Sequence, residues 1–142
     1  MEIKALVRQI QIMFVGFFMA QVAFLGIVSF VNATKPPEAN RLLEQLPFIT
    51  ALILLPLGYW FFQKQMFNFV QINDLHEKIA TYRPAILVKW ACFEGATLFA
   101  IVAFFLTGNL QLQYLAVGLV IHFAGHFPTH TRVCRELQVS EL

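Results

Sequence analysis

Charge is scarce in this chain. Ten Lys and Arg and eight Asp and Glu make 13% of 142 residues, where a soluble domain carries about 25%. A net charge of only +2 does not argue for nucleic acid, and none is expected as a partner. Cysteine is nearly absent: Cys92 sits in an apolar stretch and Cys134 in a charged tail, with no CxxC and no array, so neither a disulfide framework nor a zinc site is indicated. There is no HExxH, no phosphate-cradling glycine loop and no nucleophile–base pair. An enzyme is therefore not expected, and no cofactor is implied. What is abundant is apolar surface: 58% hydrophobic residues and sixteen phenylalanines, with a mean hydropathy of +0.67. Such a composition suits a chain whose solvent is partly lipid.

The length fits one domain, 1–142. Four apolar stretches have crossing length or close to it, about 10–31, 46–62, 84–106 and 110–127. A helix crosses ~30 Å of hydrocarbon in about 20 residues. The first stretch starts basic (Lys4, Arg8), and Val31-Asn32-Ala33 loosely mimics a signal cleavage site. Its apolar core is longer than the roughly 7–15 residues of a signal peptide, so a retained helix is expected. Asn32-Ala33-Thr34 fits the glycosylation sequon and is read as chance. In the second stretch Pro47 occupies the first turn, where a missing N–H is harmless, and Pro56 with Gly58 predicts a kink. Pro84 opens the third stretch and Pro128 stops the fourth. Only Thr107-Gly108-Asn109 separates these two, which makes them an antiparallel hairpin.

Lys4, Arg8, Lys64, Lys78, Arg83, Lys89, Arg132 and Arg135 lie at the N-terminus, in or beside the second loop, and at the C-terminus. The first loop holds only Lys35 and Arg41, and the third holds none. By the positive-inside rule both termini are cytoplasmic. Within the second loop, Ile72, Leu75, Ile79 and Tyr82 recur at helical spacing. This predicts an amphipathic cytoplasmic helix between spans 2 and 3, either continuing span 2 or lying on the inner leaflet. The expected fold class is all-α, a four-helix transmembrane bundle.

Charged residues inside a span are functional candidates by default. Lys89 lies about 7 Å in from Pro84, close enough for its stem to snorkel back. Glu94 lies about 15 Å in, near the midplane. The two point about 140° apart around the helix. Counting residues puts Gln21, Tyr59 and His122 near the same depth, and a polar layer of Gln21, Tyr59, Glu94 and His122 edged by Lys89 is expected. A protonated Glu94 would serve there as a hydrogen-bond strut; the alternatives are ion or proton carriage and contact with a partner. Gly16 and Ala20, and Ala91 and Gly95, are small residues four apart, the pattern of close helix packing.

His122, His126 and His130 are also spaced four apart, but Pro128 separates the last from the helix. The remaining His122/His126 pair lacks a third ligand, so no metal is expected, and the other spans offer no facing histidine for a haem.

Two resemblances follow. Lys78, Tyr82-Arg83, Lys89-Trp90-Ala91, Glu94-Gly95-Ala96, Leu106-Thr107-Gly108-Asn109, Pro128-Thr129, Arg132-Val133 and Glu136-Leu137 resemble a pattern of small uncharacterised bacterial four-span integral membrane proteins. That similarity covers the C-terminal half and implies architecture only. Glu94 through Leu106 is also similar to the ion-carrying helix of the rotary ATP synthase c subunit, which would make Glu94 an ion site. The preceding span departs from that family: Pro56, Tyr59 and Trp60 stand where it has a glycine repeat. Together these features imply a protein of the bacterial inner (plasma) membrane. Its expected partners are the lipid bilayer and either further copies of itself or a larger membrane complex. A non-enzymatic accessory or scaffold role leads, and a small ion- or proton-coupled transporter or channel using Glu94 is the alternative.

Overall fold

The computed structural model describes residues 2–34, 36–72 and 74–139. They form five α-helices: α1 (Glu2–Asn32), α2 (Arg41–Phe67), α3 (Leu75–Thr107), α4 (Leu110–Ala124) and α5 (His130–Leu137). A 3-10 turn, Asn68–Gln71, follows α2. No strand occurs among the described residues. Three helices, α1 to α3, are long and apolar enough to cross a membrane. With 15 residues, α4 is shorter; at 1.5 Å per residue it extends about 22 Å.

The central helix is α3. It packs against α2, α4 and α1, and half of its most apolar window is buried, against 17% for α1 and 22% for α2. Its start is set by Asp74, whose carboxylate accepts from the His76 N–H at 3.1 Å and caps the first turn. Its end is set by Gly108 at φ +64°, a left-handed conformation that costs glycine little.

Between these caps the helix runs through Pro84 without interruption. The amphipathic segment expected as a separate helix between spans 2 and 3 is therefore the front of α3, continuous with span 3. Proline in a helix interior loses one hydrogen bond. Ile79 and Tyr82 before it and Ala85 and Ile86 after it are all buried, and breaking the helix there would expose one pair or the other. Similarly, α2 starts at Arg41, five residues before the expected span, and continues through both Pro47 and Pro56. In the fourth stretch the helix stops at Ala124 rather than 127. Gly125 caps it through N–H bonds to Ile121 and Phe123, and the Pro128 carbonyl accepts from the Gln11 side chain at 2.9 Å.

Two apolar clusters stack along the bundle. The one nearer the termini is built of large side chains: Leu6, Ile10 and Phe14 from α1, Phe62 from α2, Tyr82, Trp90 and Phe93 from α3, Phe123 from α4, and Val133 and Leu137 from α5. The other is built around small ones, with Ala96, Ala100 and Ala103 of α3 facing Val28, Ala51, Leu112 and Ala116. Burial of Val133, Cys134 and Leu137 seats α5 across the bundle end. The Tyr82 hydroxyl donates to Glu136 Oε2 at 2.6 Å, and Lys78 Nζ donates to the Leu137 carbonyl at 3.3 Å.

At the opposite end the first loop is pinned to the α3–α4 hairpin. Asn32 Nδ2 donates to the Phe104 carbonyl at 2.7 Å, and the Glu38 N–H donates to the Thr107 carbonyl at 2.8 Å.

At Gly58, α2 comes close to α3. A Cβ there would lie 3.0 Å from Cys92 Cβ and 3.2 Å from the Lys89 carbonyl oxygen, separations that real Cβ atoms rarely tolerate. Gly58→Val should cost about 1–3 kcal/mol of bundle stability through overpacking. Gly118→Val should be near neutral, because nothing lies within 4 Å of that position. Loss of helicity during detergent-to-SDS titration checks both.

Candidate functional site

The polar residues of the spans divide into an interior group and an outward one. The interior group joins three elements near the terminal end of the bundle. Tyr59 comes from α2, Lys89 and Phe93 from α3, and His122 from α4, with His126 in the turn that follows. The two α3 residues are four apart and so share one face, as do the two histidines.

The rings pack closely. The Phe93 centroid lies 5.1 Å from Tyr59, 5.3 Å from His122 and 5.1 Å from His126, and the two imidazoles are 4.7 Å apart. His126 Nδ1 is 2.9 Å from the His122 carbonyl oxygen. A carbonyl only accepts, so Nδ1 carries the proton, and in the neutral ring Nε2 then accepts from the Tyr59 hydroxyl, which is hydrogen-bonded to it. Both ring nitrogens of His126 are thus satisfied. His122 Nε2 is buried without a partner.

Lys89 is buried to 6% exposure and does not reach back to the surface as its position suggested. Its ammonium sits 4.4 Å from the Phe62 ring centroid and 5.3 Å from that of Tyr59, a cation–π environment. Phe62 is itself held edge-on by Tyr82 at 6.0 Å. The physical reason for the burial is the close approach at Gly58, which draws the Lys89 backbone against α2 and encloses the side chain among α2 aromatics.

The structure thus gathers Tyr59, Lys89 and His122 of the expected polar layer and adds His126. Gln21 and Glu94 stand apart. Gln21 is completely buried, with neither amide atom bonded. On α1 it falls between Phe14, which packs in the large-residue cluster, and Val28, which packs in the small-residue one. Glu94 is half-buried on the outer side of α3, with no hydrogen-bond or ion-pair partner among the described residues. Ala91 and Gly95 lie three residues before and one after it, both exposed. A Cβ on Gly95 would touch only Leu54 Cδ1, at 3.7 Å. The carboxyl therefore projects from a thin, open strip of α3 beside α2.

Gly16 and Ala20 are exposed as well, and nothing lies within 4 Å of a Cβ at Gly16. That small-residue pair faces away from the chain's own helices. Cys92 and Cys134 are not joined in a disulfide. No group of three His, Cys, Asp or Glu side chains gathers among the described residues.

Sequence reasoning missed the roles of Gly58, Phe93 and the Tyr59–His126 bond. A signal for the first existed: glycine beside a bulky Tyr-Trp pair in an apolar helix marks a place where another backbone comes close. Tyr59→Phe should cost about 1 kcal/mol, the ordinary worth of one internal hydrogen bond. A Tyr59→Phe/His126→Ala double-mutant cycle in reversible unfolding measures the coupling.

Comparisons of the chain with protein-family models, curated proteins and solved structures give no match.

Proposed function

We propose that this chain is a four-helix integral membrane protein of a bacterial plasma membrane, with both termini cytoplasmic. In this reading it is a non-enzymatic accessory or scaffold subunit, and the α3 strip around Glu94 packs against a helix of another copy or of a larger complex. One observation carries the reading. A carboxyl near mid-span, half-buried, has no hydrogen-bond or ion-pair partner among the described residues. Placing a charge at the centre of a membrane helix costs roughly 2.5–3.5 kcal/mol on insertion scales, and a polar group from a docking helix removes that cost. The neighbouring Ala91 and Gly95 let a helix approach closely. Gly16 and Ala20 on α1 offer a second open small-residue face.

The bundle has four crossings in this reading because α4 starts directly after Asn109, at the far end of α3. It is also antiparallel to α3: Phe123, near its other end, packs with Trp90 at 6.3 Å. Arg132 and Arg135 follow it on the basic side. Purification from native membrane in mild detergent tests the assignment. A particle of more than one chain, homo- or hetero-oligomeric, is expected; a detergent-solubilised monomer with no associated chain contradicts it.

A second reading rests on the same carboxyl and on the likeness of residues 94–106 to the c subunit: a small proton- or ion-coupled transporter oligomer. Flux in liposomes that Glu94→Gln abolishes while assembly survives would favour it.

A further inference from the structure

Helix α5 lies across the terminal end of the bundle against α1 and α3. It is eight residues long, too short to hold its helix alone. Its order therefore depends on docking. Val133, Cys134 and Leu137 supply the buried face. The bonds from Lys78 and Tyr82 hold its last turn. Arg132 Nη1 donates to the Gly125 and Phe127 carbonyls at 3.1 and 3.3 Å, which ties its start to the turn that carries His126.

A charge inside the bundle bears on the same helix. Lys89 is buried to 6% exposure and has no hydrogen-bond or ion-pair partner among the described residues. Rings flank its ammonium, Phe62 at 4.4 Å and Tyr59 at 5.3 Å, but a ring carries no net charge to balance it. The charges within electrostatic reach of Lys89 belong to α5: the Glu136 carboxylate and, second to it, the Arg132 guanidinium. Packing leads from one to the other. The Phe62 ring beside Lys89 meets Tyr82 edge-on at 6.0 Å, and the Tyr82 hydroxyl donates to Glu136 Oε2. Glu136 Oε1 has no hydrogen bond among the described residues. Away from bulk water, attraction between unlike charges extends well beyond direct contact.

We propose that α5 is a lid latched by charge: the Glu136 carboxylate is the counter-ion of the Lys89 ammonium, and opening of α5 separates the pair and admits water to the end of the bundle around Lys89. The inference goes beyond the reading above and holds whichever side of a membrane that end faces. The lid opens without the rest of the bundle, because α1 to α4 pack on one another without it. Such an element sits at the low end of local stability. Its closed state is set by one carboxylate and one ammonium on separate helices, so anything that removes either charge loosens it.

Cys134, on the buried face of α5 at 1% exposure, reports the opening. Cys92→Ala leaves it as the single thiol, and its neighbour His130, at 3.6 Å within α5, is kept in every variant. Labelling by a water-soluble maleimide is followed in dodecylmaltoside micelles, and helicity through an SDS titration follows the whole bundle. Glu136→Gln keeps an acceptor for Tyr82 and removes the charge. Lys89→Met keeps an unbranched side chain and removes the ammonium. With Lys89 in place, Glu136→Gln should speed labelling about tenfold, a coupling of the size that interacting groups show, while the SDS midpoint moves little. In the Lys89→Met background the same change should alter the rate by less than about twofold. Lys89→Gln repeats the cycle with a polar side chain and should give the same result. Acceleration by the same factor with and without the ammonium overturns the latch, as does none in either. Labelling that begins in every variant only as the bundle loses helicity overturns the lid, because α5 then opens with the whole.

Discussion

Trp90→Ala should destabilise the bundle by about 3 kcal/mol, the lower end of the range for losing a large buried aromatic. The indole is fully buried. It meets Phe14 edge-on at 5.2 Å and Phe123 at 6.3 Å, and those two rings stack on each other at 4.6 Å. One side chain thereby holds α1, α3 and α4 together. Alanine would leave a cavity that the aromatic neighbours fill only by shifting. The lower end of the range is expected because in lipid the loss is mainly of packing contacts, with little transfer term between apolar media. Trp90→Phe keeps an aromatic ring but leaves a smaller void, and should cost about 1–2 kcal/mol, less than the full truncation. Helicity followed by circular dichroism through a dodecylmaltoside-to-SDS titration gives both values. A Trp90→Ala midpoint equal to that of the unsubstituted chain would remove Trp90 from the core.

Glu94→Leu should have the opposite profile. The carboxyl has no partner among the described residues, so its loss should leave unfolding of the single chain unchanged or shifted toward greater stability. On insertion scales an acid-to-leucine change at mid-helix favours the membrane by roughly 3 kcal/mol. Association should suffer instead. Removing a hydrogen bond to a charged or strongly polar group costs roughly 1.5–3 kcal/mol, about ten- to a hundredfold in the association constant. Fluorescence energy transfer between labelled chains, read as a function of protein-to-lipid ratio, measures self-association; recovery of a tagged chain with its partners measures hetero-association. Stability lost in step with association would recast Glu94 as an internal strut.

These two residues show what the sequence could and could not convey. Relative position along the helix axes was partly legible, because each helical residue advances 1.5 Å. Of the layer expected from Gln21, Tyr59, Glu94 and His122, with Lys89 on its edge, the Tyr59 and His122 rings lie 6.2 Å apart and the Lys89 ammonium 5.3 Å from the Tyr59 ring, while Gln21 and Glu94 stand apart. Rotation about the helix axis was less legible. Lys89 and Glu94 were expected to point apart, but which of them faces the interior depends on where α2 makes its closest approach. That contact is decided at Gly58, a residue whose significance in sequence was limited to a kink beside Pro56.

The extent of α3 was hidden for a related reason. Pro84 reads locally as a helix start, yet the buried residues on both sides of it hold one continuous helix. The apolar run through 127 overstated α4, because Gly125 ends the helix before Pro128 can. Composition and length gave four apolar stretches, and three of the resulting helices are long and apolar enough to cross a membrane. The seating of α5 rests on tertiary contacts from Tyr82 and Lys78, which no local pattern announces.

The short α4 makes topology the decisive measurement. Reporter domains that are active on only one side of the membrane, fused separately to the amino and carboxyl ends, count the crossings modulo two. Four crossings predict that both ends report the cytoplasm, and that single cysteines introduced at Glu38 and Asn109 react with an impermeant maleimide from outside. A carboxyl end that reports the external side while the amino end reports the cytoplasm means three crossings. It would contradict the account at its base.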